Sequence, residues 1–105
     1  MTRLTPQELT QFLRYDPIKG QLYWLVQLSP MAPVGSTAGT LGHDGYIAVV
    51  IKGWRVRAHR VAWALATGEW PPLIDHLDRD RSNNRWVNLR VATKSENGLN
   101  REPKR

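Results

Sequence analysis

The sequence has 105 residues, of which 41% are apolar and 23% are charged, and its formal net charge is +6. We expect a single domain with a modest core, because a chain of this length has little room for a second one. Without cysteine, disulfide frameworks and thiolate zinc sites are excluded, and no apolar run is long enough to predict a membrane span.

The positive charge is concentrated in one half of the chain. Residues 1–51 hold three basic and three acidic side chains, whereas residues 52–105 hold twelve basic and six acidic ones. A basic segment indicates a polyanionic partner, because each Lys or Arg near a phosphate releases condensed counterions. The alternative is a basic surface that only keeps the protein soluble. The lack of cysteine agrees with a cytoplasmic protein.

The first predicted element is a helix that begins after Thr5. Thr5 can be the N-cap, and Glu8 completes a capping box back to it. Leu9, Phe12 and Leu13 then form an apolar stripe at helical spacing.

A turn, a strand, a loop and a hairpin are predicted next. Residues 16–20 (DPIKG) are typical of a turn, residues 21–26 (QLYWLV) of a strand, and residues 29–42 of a loop. Residues 45–51 and 54–58, joined by a Lys-Gly pair, predict a β-hairpin. Alternation places Arg55 and Arg57 on one face of it. That face would either contact a nucleic-acid backbone or be simply solvated.

The second half predicts a helix followed by a strand, a polar loop, a strand and another helix. The first helix covers residues 59–67, with Gly68 to end it in a left-handed conformation. The strands cover residues 73–77 and 86–92, and the loop between them is rich in Asx turns. Thr93 and Glu96 form a second capping box, so the last helix runs from there towards residue 101.

Asp75 and His76 stand together on the first of these strands. Adjacent strand residues point to opposite faces, so both can serve one site only where the strand ends or bends. Asp75 and Asn97 offer oxygen ligands suited to Mg²⁺, which usually takes only one or two side chains. His76 can act as general base, because the unperturbed pKa of histidine is about 6.5. The alternative without a catalytic role is that Asp75 is a carboxylate in a turn and His76 a histidine of the core.

The segment 58–101, AHRVAWALATGEWPPLIDHLDRDRSNNRWVNLRVATKSENGLNR, strongly resembles the HNH endonucleases of phages, including homing endonucleases. The preceding DPIKGQLYW and GYIAVVIKGWRVRAHR resemble the N-terminal region that accompanies this nuclease in many phage proteins. The resemblance implies a cytoplasmic setting in a bacterial or phage-infected cell.

The resemblance also implies roles for individual residues. It makes Asp75 and Asn97 ligands of one divalent metal and His76 the general base, and Asn88 would brace the loop through backbone hydrogen bonds. Many members have histidine where this chain has Asn97, and the asparagine favours Mg²⁺ or Mn²⁺ over zinc.

Other residues are assigned less directly. We expect Asn84 and His59 to support the site, with a catalytic role as the alternative for His59. The five tryptophans are interpreted as packing residues, with Trp54 as the candidate for an exposed ring. Phosphate contacts, which position DNA without reading its sequence, are predicted for a basic set. Its members are Arg55, Arg57, Arg60, Arg79, Arg81, Arg85, Arg90 and Lys94.

These patterns together predict an α+β fold. An N-terminal helix and small antiparallel β-sheet (residues 1–57) precede a ββα-metal nuclease core (residues 58–101) and a short tail (residues 102–105). The expected function is metal-dependent hydrolysis of double-stranded DNA, and the resemblance to HNH endonucleases implies 5′-phosphate and 3′-hydroxyl ends. One site cuts one strand, so a double-strand break needs a homodimer or a second event. The alternatives are a DNA-binding module without catalysis and a small RNA-binding protein, although no common RNA-stacking motif is present.

Overall fold

The computed structural model describes residues 3–92, and it opens with a short helix, α1 (Pro6–Leu9). The predicted capping box is confirmed. The Thr5 hydroxyl accepts a hydrogen bond from the Glu8 amide at 3.1 Å, and the Glu8 carboxylate accepts one from the Thr5 amide at 2.8 Å. Both ends of the box therefore satisfy amides that a helix start leaves unpaired.

The first sheet has the strand order β1–β2–β3 and is antiparallel throughout. Its strands are β1 (Leu13–Asp16), β2 (Gln21–Trp24) and β3 (Thr37–Ala38). The predicted helical stripe through Phe12 and Leu13 is wrong, because Leu13 opens β1. The Phe12 carbonyl already accepts from the Leu25 amide at 2.8 Å, so the backbone pairs with the segment after β2 instead of with its own helix.

The second sheet has the order β4–β5–β6 and is also antiparallel. Its strands are β4 (Thr40–Leu41), β5 (Ile47–Ile51) and β6 (Trp54–Arg57), so the predicted hairpin is confirmed. The predicted loop over residues 29–42 is wrong at its end, where β3 and β4 form. Gly39, at a φ of +113°, lets the chain pass from one sheet to the other, and a Cβ there would lie 2.6 Å from Ile47 Cγ2.

The central helix, α2 (Ala58–Thr67), agrees with the prediction, and Gly68 ends it at a φ of +82°. Its buried face packs against α1, β1, β5 and β6. The core therefore lies between the two helices and the two small sheets. Its buried members are Leu9, Leu13, Leu22, Trp24, Ala38, Val49, Ile51, Val56, Ala58, Val61 and Ala64.

The last described elements form a two-stranded hairpin, β7 (Ile74–His76) with β8 (Leu89–Val91). The predicted second strand over residues 86–92 is wrong in its first three residues, which form a 3-10 turn (Trp86–Asn88). The turn forms because the Asn88 amide bonds to the Arg85 carbonyl at 2.9 Å, while the Trp86 amide bonds to the Pro17 carbonyl at 2.9 Å. The predicted helix from Thr93 lies outside the described residues. Within residues 3–92, no helix has the length and apolar character needed to cross a membrane.

Candidate active site

Asp75 and His76 lie side by side on β7 and point to opposite faces of the strand. Asp75 stands opposite Arg90 on β8, and their charged groups are 3.2 Å apart with 42% and 43% of the side chains exposed. His76 is buried, with 6% of its surface exposed. β7 ends at His76, which meets the condition that the strand must end or bend if Asp75 and His76 are to serve one site.

A buried amide orients the His76 ring. His76 Nε2 lies 2.9 Å from Oδ1 of Asn84, which is itself 3% exposed. An amide oxygen only accepts hydrogen bonds, so Nε2 carries the proton and Nδ1 is left as the basic nitrogen. The Asn84 backbone carbonyl also accepts from the Tyr15 hydroxyl, which ties this residue to the first sheet.

Tyr46, His59 and His76 form an aromatic cluster behind the site. The His59 and His76 ring centroids are 5.0 Å apart in an edge-to-face arrangement, and Tyr46 lies 5.4 Å from His59 and 6.1 Å from His76. Burial lowers the pKa of His59 from 6.5 to about 4, and positive charge on His76, Arg60 and Arg57 acts in the same direction. His59 is therefore a neutral neighbour of His76 at neutral pH.

The buried side chain of Asn88 spans the polar loop between the two strands. Its Oδ1 accepts from the Asp78 amide at 2.9 Å, and its Nδ2 donates to Asp78 Oδ1 at 2.9 Å and to the Asn83 carbonyl at 2.8 Å. Hydrogen bonds from the Asn83 side chain, the Asp80 amide and Asn88 lower the pKa of Asp78. The Asn88 amide and the Asp78 carboxylate therefore hold the two ends of the loop together.

Two of the predicted DNA-contacting arginines bond to Asp44 in the turn between β4 and β5, and one of them, Arg81, thereby joins the polar loop to the second sheet. Arg57 Nη2 lies 3.0 Å from an Asp44 carboxylate oxygen, and Arg81 Nη1 donates to the Asp44 backbone carbonyl at 2.9 Å. Both guanidinium groups also lie over the Tyr46 ring, at 4.0 Å and 5.1 Å from its centroid. The remaining described members of the basic set lie on β6, on α2, in the loop and on β8. They are Arg55, Arg60, Arg79, Arg85 and Arg90.

Two predicted site residues, Asn97 and Lys94, lie outside the described residues. Within residues 3–92, no group of three or more His, Asp or Glu side chains could hold a metal. The Asp75 carboxylate is nevertheless half-exposed and suits a hard cation, which needs only one or two protein oxygens and completes its shell with water and phosphate. The donor that the described residues supply therefore fits Mg²⁺ or Mn²⁺.

Residues 56–99 match the model of a family described as HNH endonuclease. We refer to this matched stretch as the HNH segment. It takes in α2, the β7–β8 hairpin and the polar loop, together with His59, Asp75, His76 and Asn88. The resemblance predicted from the sequence is confirmed.

Comparison with solved structures extends the likeness to the N-terminal sheets. The chain is similar in fold to the structure titled "DNA binding and cleavage by the HNH homing endonuclease I-HmuI", with a TM-score of 0.62 and 22% sequence identity. The match covers 89% of this chain and 53% of that one, so the present chain spans about half the length of that protein. The predicted α+β fold with an HNH segment is confirmed. No curated protein matches the sequence.

Sequence reasoning missed two residues near the site. Asp78 is bonded to both Asn83 and Asn88, and the Asp-Arg-Asp spacing in the loop was its available signal. Tyr46 contacts His59 and His76 from the turn between β4 and β5, and no local pattern marks it because the contact joins residues distant in the chain.

Proposed function

We propose that this chain is a metal-dependent endonuclease that hydrolyses phosphodiester bonds of double-stranded DNA. The observation that carries the proposal is the His76 ring at the end of β7, with its Nε2 proton directed to Asn84 Oδ1, inside the HNH endonuclease segment. A neutral imidazole held in this way presents Nδ1 as its free nitrogen and has a fixed ring orientation, so it can take a proton from an attacking water.

The residues around His76 are proposed to orient its ring and not to contact the substrate. Asn84 positions the ring through its amide, and the neutral His59 packs against it edge to face at 5.0 Å. Asn88 holds the loop that carries Asn84. We assign these three residues to support of the site.

Asp75 and Asn97 are proposed to hold one divalent cation, Mg²⁺ or Mn²⁺. Such an ion, when bound, offsets the charge that develops on the phosphate and on the leaving 3′ oxygen. Arg90 at 3.2 Å balances the Asp75 carboxylate in the described structure, and we expect it to contact a DNA phosphate once the cation takes its place.

Double-stranded DNA is proposed as the substrate because of the charge distribution and the similar structure. All of the net charge of +6 lies in residues 52–105, and most of its described arginines are exposed. The similar protein is titled for DNA binding and cleavage. We propose that residues 1–57 contribute to DNA binding and residues 58–101 to cleavage, in a cytoplasmic protein whose monomer nicks DNA and whose homodimer would cut both strands.

A DNA-binding module without catalysis is the second candidate. It is favoured by the exposed arginines of β6, which do not depend on Asp75 or His76. The two functions differ in what the loss of His76 would do.

The test is a plasmid assay with the full chain and Mg²⁺. Wild type should convert supercoiled DNA to the open-circle form, and EDTA should prevent the conversion. His76→Ala should abolish nicking while leaving DNA binding intact, because the imidazole is the proposed base and not a phosphate ligand. His43→Ala, which removes an exposed histidine far from β7 in the chain, should nick like wild type. Equal nicking by wild type and His76→Ala would refute the catalytic assignment.

A further inference from the structure

A cleft lies at β6, the edge strand of the second sheet. Its volume is about 370 Å³, and it is lined by Arg3, Trp54, Arg55, Val56, Arg57, Arg60 and Trp70. Four consecutive residues of β6 contribute to it, two from each face of the strand, and β6 is the edge strand of its sheet. The cleft therefore wraps around a free strand edge, and its volume falls in the range of about 300–1,000 Å³ typical of sites for small organic groups.

The cleft is strongly positive. Four of its wall residues are arginines, and no acidic side chain lines it. Arg57 is paired with Asp44 at 3.0 Å, whereas within residues 3–92 no carboxylate lies within ion-pair distance of Arg3, Arg55 or Arg60. Guanidinium groups present donors in a fork that matches the oxygens of phosphate, so this wall favours a phosphate group.

The two indoles give the cleft a rigid aromatic wall. Trp54 and Trp70 meet edge to face, with centroids 5.7 Å apart, and Trp70 Nε1 donates to the Leu4 carbonyl at 3.1 Å. Elsewhere in the described chain, cationic side chains cover the faces of Phe12, Tyr23 and Tyr46. In the same part of the chain no cation lies over either indole of the cleft. Both indoles pack partly against the core and line the cleft with the surface that remains.

We propose that this arginine–tryptophan cleft binds a single unpaired nucleotide, with the base against an indole and the phosphate on the arginines. An aromatic platform next to free arginines suits a ligand that is both planar and anionic, as a nucleotide is. The proposal rests on the proposed action on DNA. Arg57 links the two regions, since its guanidinium lies 4.0 Å from the Tyr46 ring, which in turn neighbours His76. The cleft and His76 are therefore connected through two side-chain contacts.

The test measures binding of two labelled single strands to the full chain by fluorescence anisotropy, in EDTA so that nothing is cleaved. One strand is a short oligothymidine, and the other is an abasic strand of the same length. One stacked base corresponds to roughly a tenfold change in affinity, so the abasic strand should bind about tenfold more weakly. Equal affinities would overturn the proposal and reduce the cleft to a phosphate contact.

Substitutions locate the effect. Arg3→Ala should weaken oligothymidine binding several-fold, whereas Lys19→Ala, which removes the same charge from an exposed turn outside the cleft, should have little effect. Trp54→Leu should remove the difference between the two strands. If Trp54→Leu does not fold, the comparison of the two strands on wild type still decides the question. Equal losses in Arg3→Ala and Lys19→Ala would overturn the location.

Competition and cleavage complete the design. If free thymidine monophosphate displaces the oligothymidine, the cleft binds a free nucleotide. If it does not, the cleft binds a nucleotide within a strand. Both results support the proposal. Plasmid nicking by wild type is measured in parallel. If wild type does not nick but discriminates between the strands, the endonuclease proposal fails and the cleft stands; nicking with equal strand affinities gives the reverse result.

Discussion

Replacing Asn88 with alanine should disrupt the polar loop that supports the site. The Asn88 side chain is 6% exposed and makes three hydrogen bonds, to the Asp78 amide, the Asp78 carboxylate and the Asn83 carbonyl. At a net contribution of roughly 0.5–1.5 kcal/mol for each bond, the loss should be about 2–4 kcal/mol. This is a large part of the roughly 5–15 kcal/mol that stabilises a typical domain.

The assay is thermal unfolding followed by circular dichroism, together with plasmid nicking. For a domain of this size each 1 kcal/mol corresponds to roughly 4–8 °C in Tm, so Asn88→Ala should lower the Tm by about 8 °C or more. Gln7→Ala is the matched control, since it removes an exposed amide from α1 and should change stability by less than about 0.5 kcal/mol. If Asn88→Ala and Gln7→Ala have the same Tm, the loop does not depend on the Asn88 amide and the reasoning fails.

Asn88→Asp separates hydrogen bonding from charge at the same position. It keeps an oxygen for the Asp78 amide but replaces the Nδ2 donor, 2.9 Å from Asp78 Oδ1, by a second carboxylate oxygen. Two carboxylates at this distance resist joint ionisation. Relative to wild type, the variant should be least stable at neutral pH and should recover near pH ~4, where one carboxyl is protonated and donates. A deficit that does not change with pH would contradict the assigned bond.

Two further changes test contacts that only the tertiary structure shows. Gly20→Ala should destabilise the protein by at least about 1–3 kcal/mol in urea unfolding, because Gly20 has a φ of +72° and a Cβ there would lie 2.4 Å from the Arg85 amide nitrogen; unchanged stability would refute the contact. The pKa of His59 is about 4 in the folded protein and about 6.5 in the unfolded chain, so the unfolded chain binds the proton first as the pH falls. Wild type should therefore lose folding stability between pH 6.5 and pH 4. His59→Asn lacks this titrating group and should lose less. Equal pH slopes in the urea midpoint would show that His59 is not buried as described.

The local elements were predictable to the extent that their hydrogen bonds are local. The capping box at Thr5, the hairpin of β5 and β6 and the end of α2 at Gly68 all depend on neighbours within a few residues, and all three agree with the structure. The wrong predictions concern segments whose backbone hydrogen bonds go to residues distant in the chain. The helix stops at Leu9 because Phe12 pairs with Leu25, and the strand expected from Trp86 becomes a turn because that residue bonds to Pro17.

The pair Asp75-His76 was recognisable from the sequence alone, because the order and spacing of polar residues in the HNH segment are carried by a continuous stretch of chain. The partners of His76 were decided by the tertiary structure. Asn84 belongs to the polar loop, His59 to α2, and Tyr46 to the turn between β4 and β5. Which nitrogen of the neutral His76 ring bears the proton depends on the Asn84 amide oxygen beside Nε2. The sequence therefore determined which side chains carry the proposed chemistry, and the packing of three separate elements determined how they are oriented for it.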